Sequence, residues 1–152
     1  MLLEIEGGHP GKIESWTQRF FGLSSPGQAP LQGPRAYSLG SAEWLLIDCS
    51  REYLRRSVKG LGRAPLRVTD LTRSFASLRV AGSMARTVLA SDGDTKWIPW
   101  AGPGHYGPMR LGHVPALVQC VGYDTFELYV IRHRSARLEA WLHARHDGHV
   151  PH

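Results

Sequence analysis

The stretch Ala116-Leu-Val-Gln-Cys-Val-Gly-Tyr-Asp-Thr-Phe-Glu-Leu-Tyr-Val-Ile131 decides the fold class. Its second half, from Thr125, sets Phe126, Leu128 and Val130 against Glu127 and Tyr129, the period-two pattern of a strand with one face buried. Its first half, Ala116 to Val121, is an apolar run of strand length, and Gly122-Tyr123-Asp124 between them reads as a turn. A further strand is expected at Met109 to His113. After the pair, Ser135 opens a helix with Leu138, Trp141 and Leu142 on one face.

Working toward the N-terminus, Gly82-Ser83 opens a helix that buries Met84, Val88 and Leu89. A strand is expected at Phe75 to Val80, reached from an extended segment, Leu66 to Asp70, through Leu71-Thr72-Arg73-Ser74. Ser50 caps a helix to about Leu61, with Leu54, Val58 and Leu61 inward and Arg51, Arg55 and Lys59 outward. Ala36 to Leu39 and Trp44 to Cys49 suit a hairpin about the turn Gly40-Ser41-Ala42-Glu43. Ile13, Trp16, Phe20 and Phe21 recur at helical spacing and predict a short helix closed by Gly22. The Pro- and Gly-containing segment Ser24 to Pro34 follows as a loop. Ser91 to Pro108 has little periodicity and many breakers, so it is expected to be a long loop. The order is α+β, a single domain of antiparallel or mixed sheet with packed helices, and too poor in βαβ units for a doubly wound fold.

The chain has 152 residues, 42% of them hydrophobic. That length suits one compact domain over 1–152 with one sizeable core. No window is apolar enough to span a membrane, and Met1-Leu-Leu-Glu-Ile-Glu6 puts acids where a leader has bases, so a cytoplasmic location is expected. Cys49 and Cys120 lie apart in apolar runs and read as buried thiols. The formal charge is +5, but the basic residues are scattered, with Glu52 and Glu139 among the densest groups. Most are arginines, which pair with carboxylates at protein interfaces as readily as with phosphate. No nucleic-acid partner is expected.

Three patterns invite chemistry. Gly102-Pro-Gly-His-Tyr-Gly107 spells the dinucleotide-loop pattern, yet that motif needs a strand before it and a helix after it. Here Pro99 precedes, Pro103 removes an N–H, and strand-like sequence follows Pro108. Among eight histidines, His143, His146, His149 and His152 recur every third residue. Gly148 and Pro151 are expected to break the helix that would align them, leaving residues 143–152 as a flexible His-rich tail without a metal site. Asp70 with Thr72 and Ser74 reads as local satisfaction of turn N–H groups, or, more sharply, as the setting for an Arg73 that reaches a partner or an anion. No catalytic, cofactor-binding or metal-ligating set emerges.

The aromatic loop remains. Trp97, Trp100 and Tyr106, set among Pro99, Pro103, Pro108 and glycines, are a large apolar load on an irregular segment. Such residues fold back onto the core or bury into a partner. Trp97, Trp100, Tyr106 and Arg73 are therefore the candidate partner-contact residues.

Three stretches together resemble a known family. Leu39-Gly-Ser-Ala-Glu-Trp-Leu-Leu46 resembles a strand pair of the gamma subunit of heterotetrameric sarcosine oxidases. Val68-Thr-Asp-Leu-Thr-Arg-Ser74, with Leu78-Arg-Val-Ala-Gly82 and Ala85-Arg-Thr-Val-Leu89, is similar to that family's central block. Asp124-Thr-Phe-Glu-Leu-Tyr-Val130, Ile131-Arg-His-Arg-Ser135 and Trp141-Leu142 resemble its closing strand and helix. Order and spacing agree from about Gly22 to Leu142. Gly93 stands where the family commonly has cysteine, Lys96 where it has aspartate, and Arg73 where histidine is frequent.

The resemblance implies a fold akin to part of the folate-binding domain of aminomethyltransferases. It implies a non-catalytic gamma subunit, contributing to assembly and stability, in a flavoprotein complex that oxidatively demethylates sarcosine or a related N-methyl amine. Its partners would be the alpha, beta and delta subunits. FAD and FMN would sit with beta and at its boundary with alpha, NAD and tetrahydrofolate with alpha, and zinc with delta. The alternative is a free-standing folate-dependent or tRNA-modification accessory protein of the same fold.

Overall fold

A computed structural model describes residues 3–7, 29–38, 43–59, 66–91 and 97–149. Contacts group the chain into two compact units, Met1–Arg73 and Ser74–His152. The helix expected at Ile13 to Phe21 and the turn at residues 40–42 lie outside the described residues.

In the first unit, four antiparallel strands run in the order β2-β3-β1-β4. They are β1 (Leu3–Gly7), β2 (Arg35–Ser38), β3 (Glu43–Ile47) and β4 (Leu66–Asp70). The expected hairpin is β2 against β3, with Ala36 opposite Leu46. β1 was not among the expected elements, although it pairs with both β3 and β4 at the centre of the sheet. Its signal is the alternation of Leu3 and Ile5 with Glu4 and Glu6, too short a run to stand out by periodicity alone.

Tyr37 and Trp44 to Ile47 are buried, and so is Arg35, whose guanidinium donates to Asp48 at 2.8 Å and to the Leu31 carbonyl at 3.1 Å. Helix α1 (Arg51–Val58) starts as expected: the Ser50 hydroxyl accepts the Tyr53 N–H at 3.0 Å. Satisfying one of the otherwise unpaired first-turn donors is worth about 1 kcal/mol.

The second unit carries the sheet β5-β8-β7-β6, antiparallel throughout: β5 (Phe75–Ala81), β6 (Tyr106–Leu111), β7 (Val114–Gly122) and β8 (Thr125–Ile131). The α+β class with antiparallel sheets is as the sequence predicts. Helices α2 (Ala85–Ala90) and α3 (Ser135–His149) complete it. Val118, Cys120, Phe126, Leu128 and Val130 are fully buried, together with Leu89 of α2 and Leu138 of α3.

Two expectations are corrected here. The segment from Ser91 to Pro108 is not loop to its end: Ile98–Trp100 form a 3-10 turn, and β6 begins at Tyr106. Nor does Gly148 break the last helix, since α3 runs on through His143 and His146 to His149. One glycine inside a helix costs about 1 kcal/mol relative to alanine, a penalty and not a stop.

Candidate functional site

The aromatic loop divides. Trp97 packs against the core of the second unit, and Tyr106 is 9% exposed on β6. Trp100 is 86% exposed. Gly107 explains Trp97, because a Cβ there would stand 3.2 Å from the indole nitrogen and 3.3 Å from the adjoining ring carbon. The missing side chain is what lets the ring lie against β6. Ile98, fully buried, anchors the 3-10 turn while Pro99 and Trp100 face out. The structure thus packs Trp97 against the core, buries Tyr106 on β6 and leaves Trp100 at the surface. Arg73 is exposed, at the end of the first unit.

The glycine pattern closes on itself. The Gly102 N–H donates to His105 Nδ1 at 2.7 Å, the His105 N–H to the Gly102 carbonyl at 3.1 Å, and the Gly104 N–H to the Cys120 carbonyl at 2.7 Å. A phosphate cradle needs such N–H groups unspent.

What organises this end of the unit is Arg86 of α2, which sequence reading met only inside the block Ala85 to Leu89. Its Nη1 donates to the Ile98 carbonyl at 2.8 Å, and its Nε and Nη2 to the Tyr123 carbonyl at 3.0 and 2.6 Å. Asp124 lies 4.0 Å from Nε. The guanidinium also stands over the Tyr123 and Phe126 rings, 5.4 and 5.3 Å from their centroids. One arginine therefore ties the turn that carries Trp100 to the β7–β8 turn that carries Tyr123, itself 81% exposed. Its planar fork can serve two carbonyls at once, which a lysine could not. Two large aromatics are thus exposed on segments fixed by one guanidinium, and aromatic side chains are enriched at protein interfaces. From sequence Tyr123 is a turn residue only, and an aromatic at so short a turn is the signal that marks it.

The remaining groups have local roles. Asp70 accepts from the Thr72 hydroxyl at 2.7 Å and the Thr72 N–H at 3.0 Å, and from Arg51 at 3.3 Å. The Thr72 hydroxyl, then its N–H, hold the Asp70 carboxyl below the usual carboxylate range. Burial pushes both thiols up, Cys120 against the opposing charge of Arg86. The Cys120 Sγ donates to the Gly122 carbonyl at 3.1 Å, and neither cysteine is disulfide-bonded. A raised thiol hydrogen-bonded to backbone is a poor nucleophile. Among the described residues no three His, Cys, Asp or Glu side chains gather as metal ligands.

A groove of about 550 Å³ opens elsewhere on the second unit, lined by Leu78 to Ala85 and Val88 on one side and by Glu139, Leu142, His143 and His146 of α3 on the other. Among the described residues no helix is long and apolar enough to cross a membrane.

No protein-family model matches the sequence, and no curated protein matches it. The fold has a solved counterpart. A chain in the structure titled heterotetrameric sarcosine oxidase from Corynebacterium sp. U-96 in complex with pyrrole 2-carboxylate superposes with a TM-score of 0.80 at 20% identity, over 99% of this chain and 82% of that one. The likeness shows a shared fold across nearly the whole of this chain.

Proposed function

We propose that this chain is a non-catalytic, gamma-type subunit of a flavin-dependent, sarcosine-oxidase-like complex, in which it supports assembly and stability. The observation that carries the reading is the fold shared with a chain of a heterotetrameric sarcosine oxidase, at a TM-score of 0.80 over 99% of this chain. The ordered sequence motifs support it from a separate direction. In this reading the demethylation of sarcosine or a related N-methyl amine belongs to the alpha and beta subunits, with FAD and FMN, NAD and tetrahydrofolate, and zinc held outside this chain. The present chain supplies a rigid docking face, for which Trp100 and Tyr123, set by Arg86, are the contact groups.

Co-expression with the larger flavin subunits tests it. The complex should retain this chain through gel filtration, and Trp100→Ala should weaken that retention while leaving the melting temperature of the isolated chain unchanged. Trp97→Ala should instead cost the isolated chain about 2–3 kcal/mol, as for a partly buried large-to-small change. Flavin subunits that assemble and turn over at full rate while this chain elutes alone would sink the proposal.

A further inference from the structure

The sheet of the second unit ends at β5, and the hydrogen bonds at the ends of its ladder with β8 set which backbone groups face outward. The register is unbroken from Phe75 opposite Ile131 to Ala81 opposite Thr125. At one end the Arg132 N–H donates to the Ser74 carbonyl at 2.7 Å, and at the other the Gly82 N–H donates to the Asp124 carbonyl at 3.0 Å. In an antiparallel pair, residues that bond across the ladder alternate with residues whose N–H and C=O point away. The even-numbered residues thus face β8, and Phe75, Ser77, Arg79 and Ala81 turn their backbone groups outward. The Phe75 carbonyl is taken by Arg132 Nη2 at 2.8 Å. Beyond it, the outward N–H and C=O of Ser77, Arg79 and Ala81 meet no backbone partner among the described residues.

The groove follows this open edge. It touches every residue from Leu78 to Ala85 in succession. Its lining thus runs along β5 from Leu78 and on through the turn into α2, with α3 alongside. Leu78, Val80, Met84 and Leu142 give it an apolar lining, and α3 forms the opposite wall. Arg79 does not block the way, because its guanidinium is drawn back over β8 to Glu127 Oε1 at 2.5 Å. Glu139 on the α3 wall is exposed and joins no ion pair among the described residues, so it leaves a negative charge at the rim.

The geometry points to β-strand addition at this edge: an extended segment of another protein pairs with Ser77, Arg79 and Ala81, sets alternate apolar side chains into the groove, and meets Glu139 with a lysine or arginine. Backbone bonds supply affinity in this mode and the alternate pockets supply specificity. A helix suits the site poorly, because its backbone groups are already paired and would leave those of β5 unanswered. The inference does not rest on the oxidase reading, since any partner that presents such a segment satisfies it.

The test titrates the full-length, ¹⁵N-labelled chain with a blocked peptide of about seven residues, the length of β5, alternating valine and threonine around a central lysine. The amide signals of Ser77, Arg79 and Ala81 should shift and exchange more slowly with solvent. The same peptide N-methylated at alternate amides, which keeps its side chains and loses its donors, should bind about tenfold more weakly or worse. Glu139→Gln should weaken the unmodified peptide roughly two- to fivefold. Equal binding of both peptides would overturn the proposal in favour of a merely apolar pocket. Protection of the three amides before any peptide is added would overturn it too, and if that protection grows with protein concentration the occupant is a second copy of the chain.

Discussion

The two margins of the second unit's sheet contrast. At the β6 margin the Cys120 N–H donates to the His105 carbonyl at 2.8 Å, and with Tyr106 opposite Gln119 this puts Tyr106, Pro108 and Arg110 on the outward-pointing positions. Pro108 sits where a strand has no ladder bond to lose, and its missing N–H denies a docking donor to any strand arriving from outside. The same margin is packed: Trp97 lies against Gly107, and Trp141 occupies the space that a Cβ on Gly112 would need. At the β5 margin there is no proline, three successive outward positions meet no backbone partner among the described residues, and a groove runs alongside. One sheet thus has a margin closed by a proline and packed rings, and a margin whose core-facing side chains are packed while its outward backbone groups stay unanswered among the described residues.

The largest effect expected from testing that contrast is a difference between neighbouring prolines. Ala76→Pro removes an inward N–H from the ladder opposite Val130 and should cost about 3 kcal/mol or more. Ser77→Pro removes an outward N–H that no strand among the described residues accepts and should cost about 1 kcal/mol or less. Urea unfolding of the two variants reads this directly, and equal losses would mean that the outward groups of β5 are paired after all.

Next in size is Gly112→Ala on the closed margin. Gly112 has φ of +57° and lies under Trp141. An alanine there meets both a left-handed backbone and the ring, and the two together should cost about 2–3 kcal/mol. The same unfolding measurement checks it, and a near-neutral result would mean that Trp141 is not fixed on that margin.

How much of this was legible in the sequence follows the range of the interactions. The strands from Leu66 to Ile131 and the cap at Ser50 announce themselves through alternation and neighbouring side chains, which are local. The start of β6 hid because Gly107 and Pro108 are breakers by composition, and only the parity of the ladder makes a proline harmless there. The split of Trp97 from Trp100 depends on a glycine ten residues further on, and the role of Arg86 on carbonyls at Ile98 and Tyr123. The groove joins β5 to α3 across more than fifty residues of chain, beyond any window over which a pattern can be read.

The smallest effect is the one that separates the margins most cleanly. Arg79 and Glu127 are direct cross-strand partners, with side chains 65% and 16% exposed. Water screens the arginine and salt weakens the pair, so Arg79→Ala should cost no more than about 0.2–1 kcal/mol, with part of that loss disappearing in molar salt. Binding should respond differently. A truncated side chain leaves the backbone of residue 79 in place, so an added strand should still pair there, whereas Ser77→Pro should abolish pairing at its own position at a similarly small cost in stability. Two variants of nearly equal stability and unequal binding would assign the open margin's function to its backbone. If Arg79→Ala instead removes binding as completely as the proline does, recognition at β5 runs through the guanidinium, and the two margins differ in charge and not in hydrogen bonding.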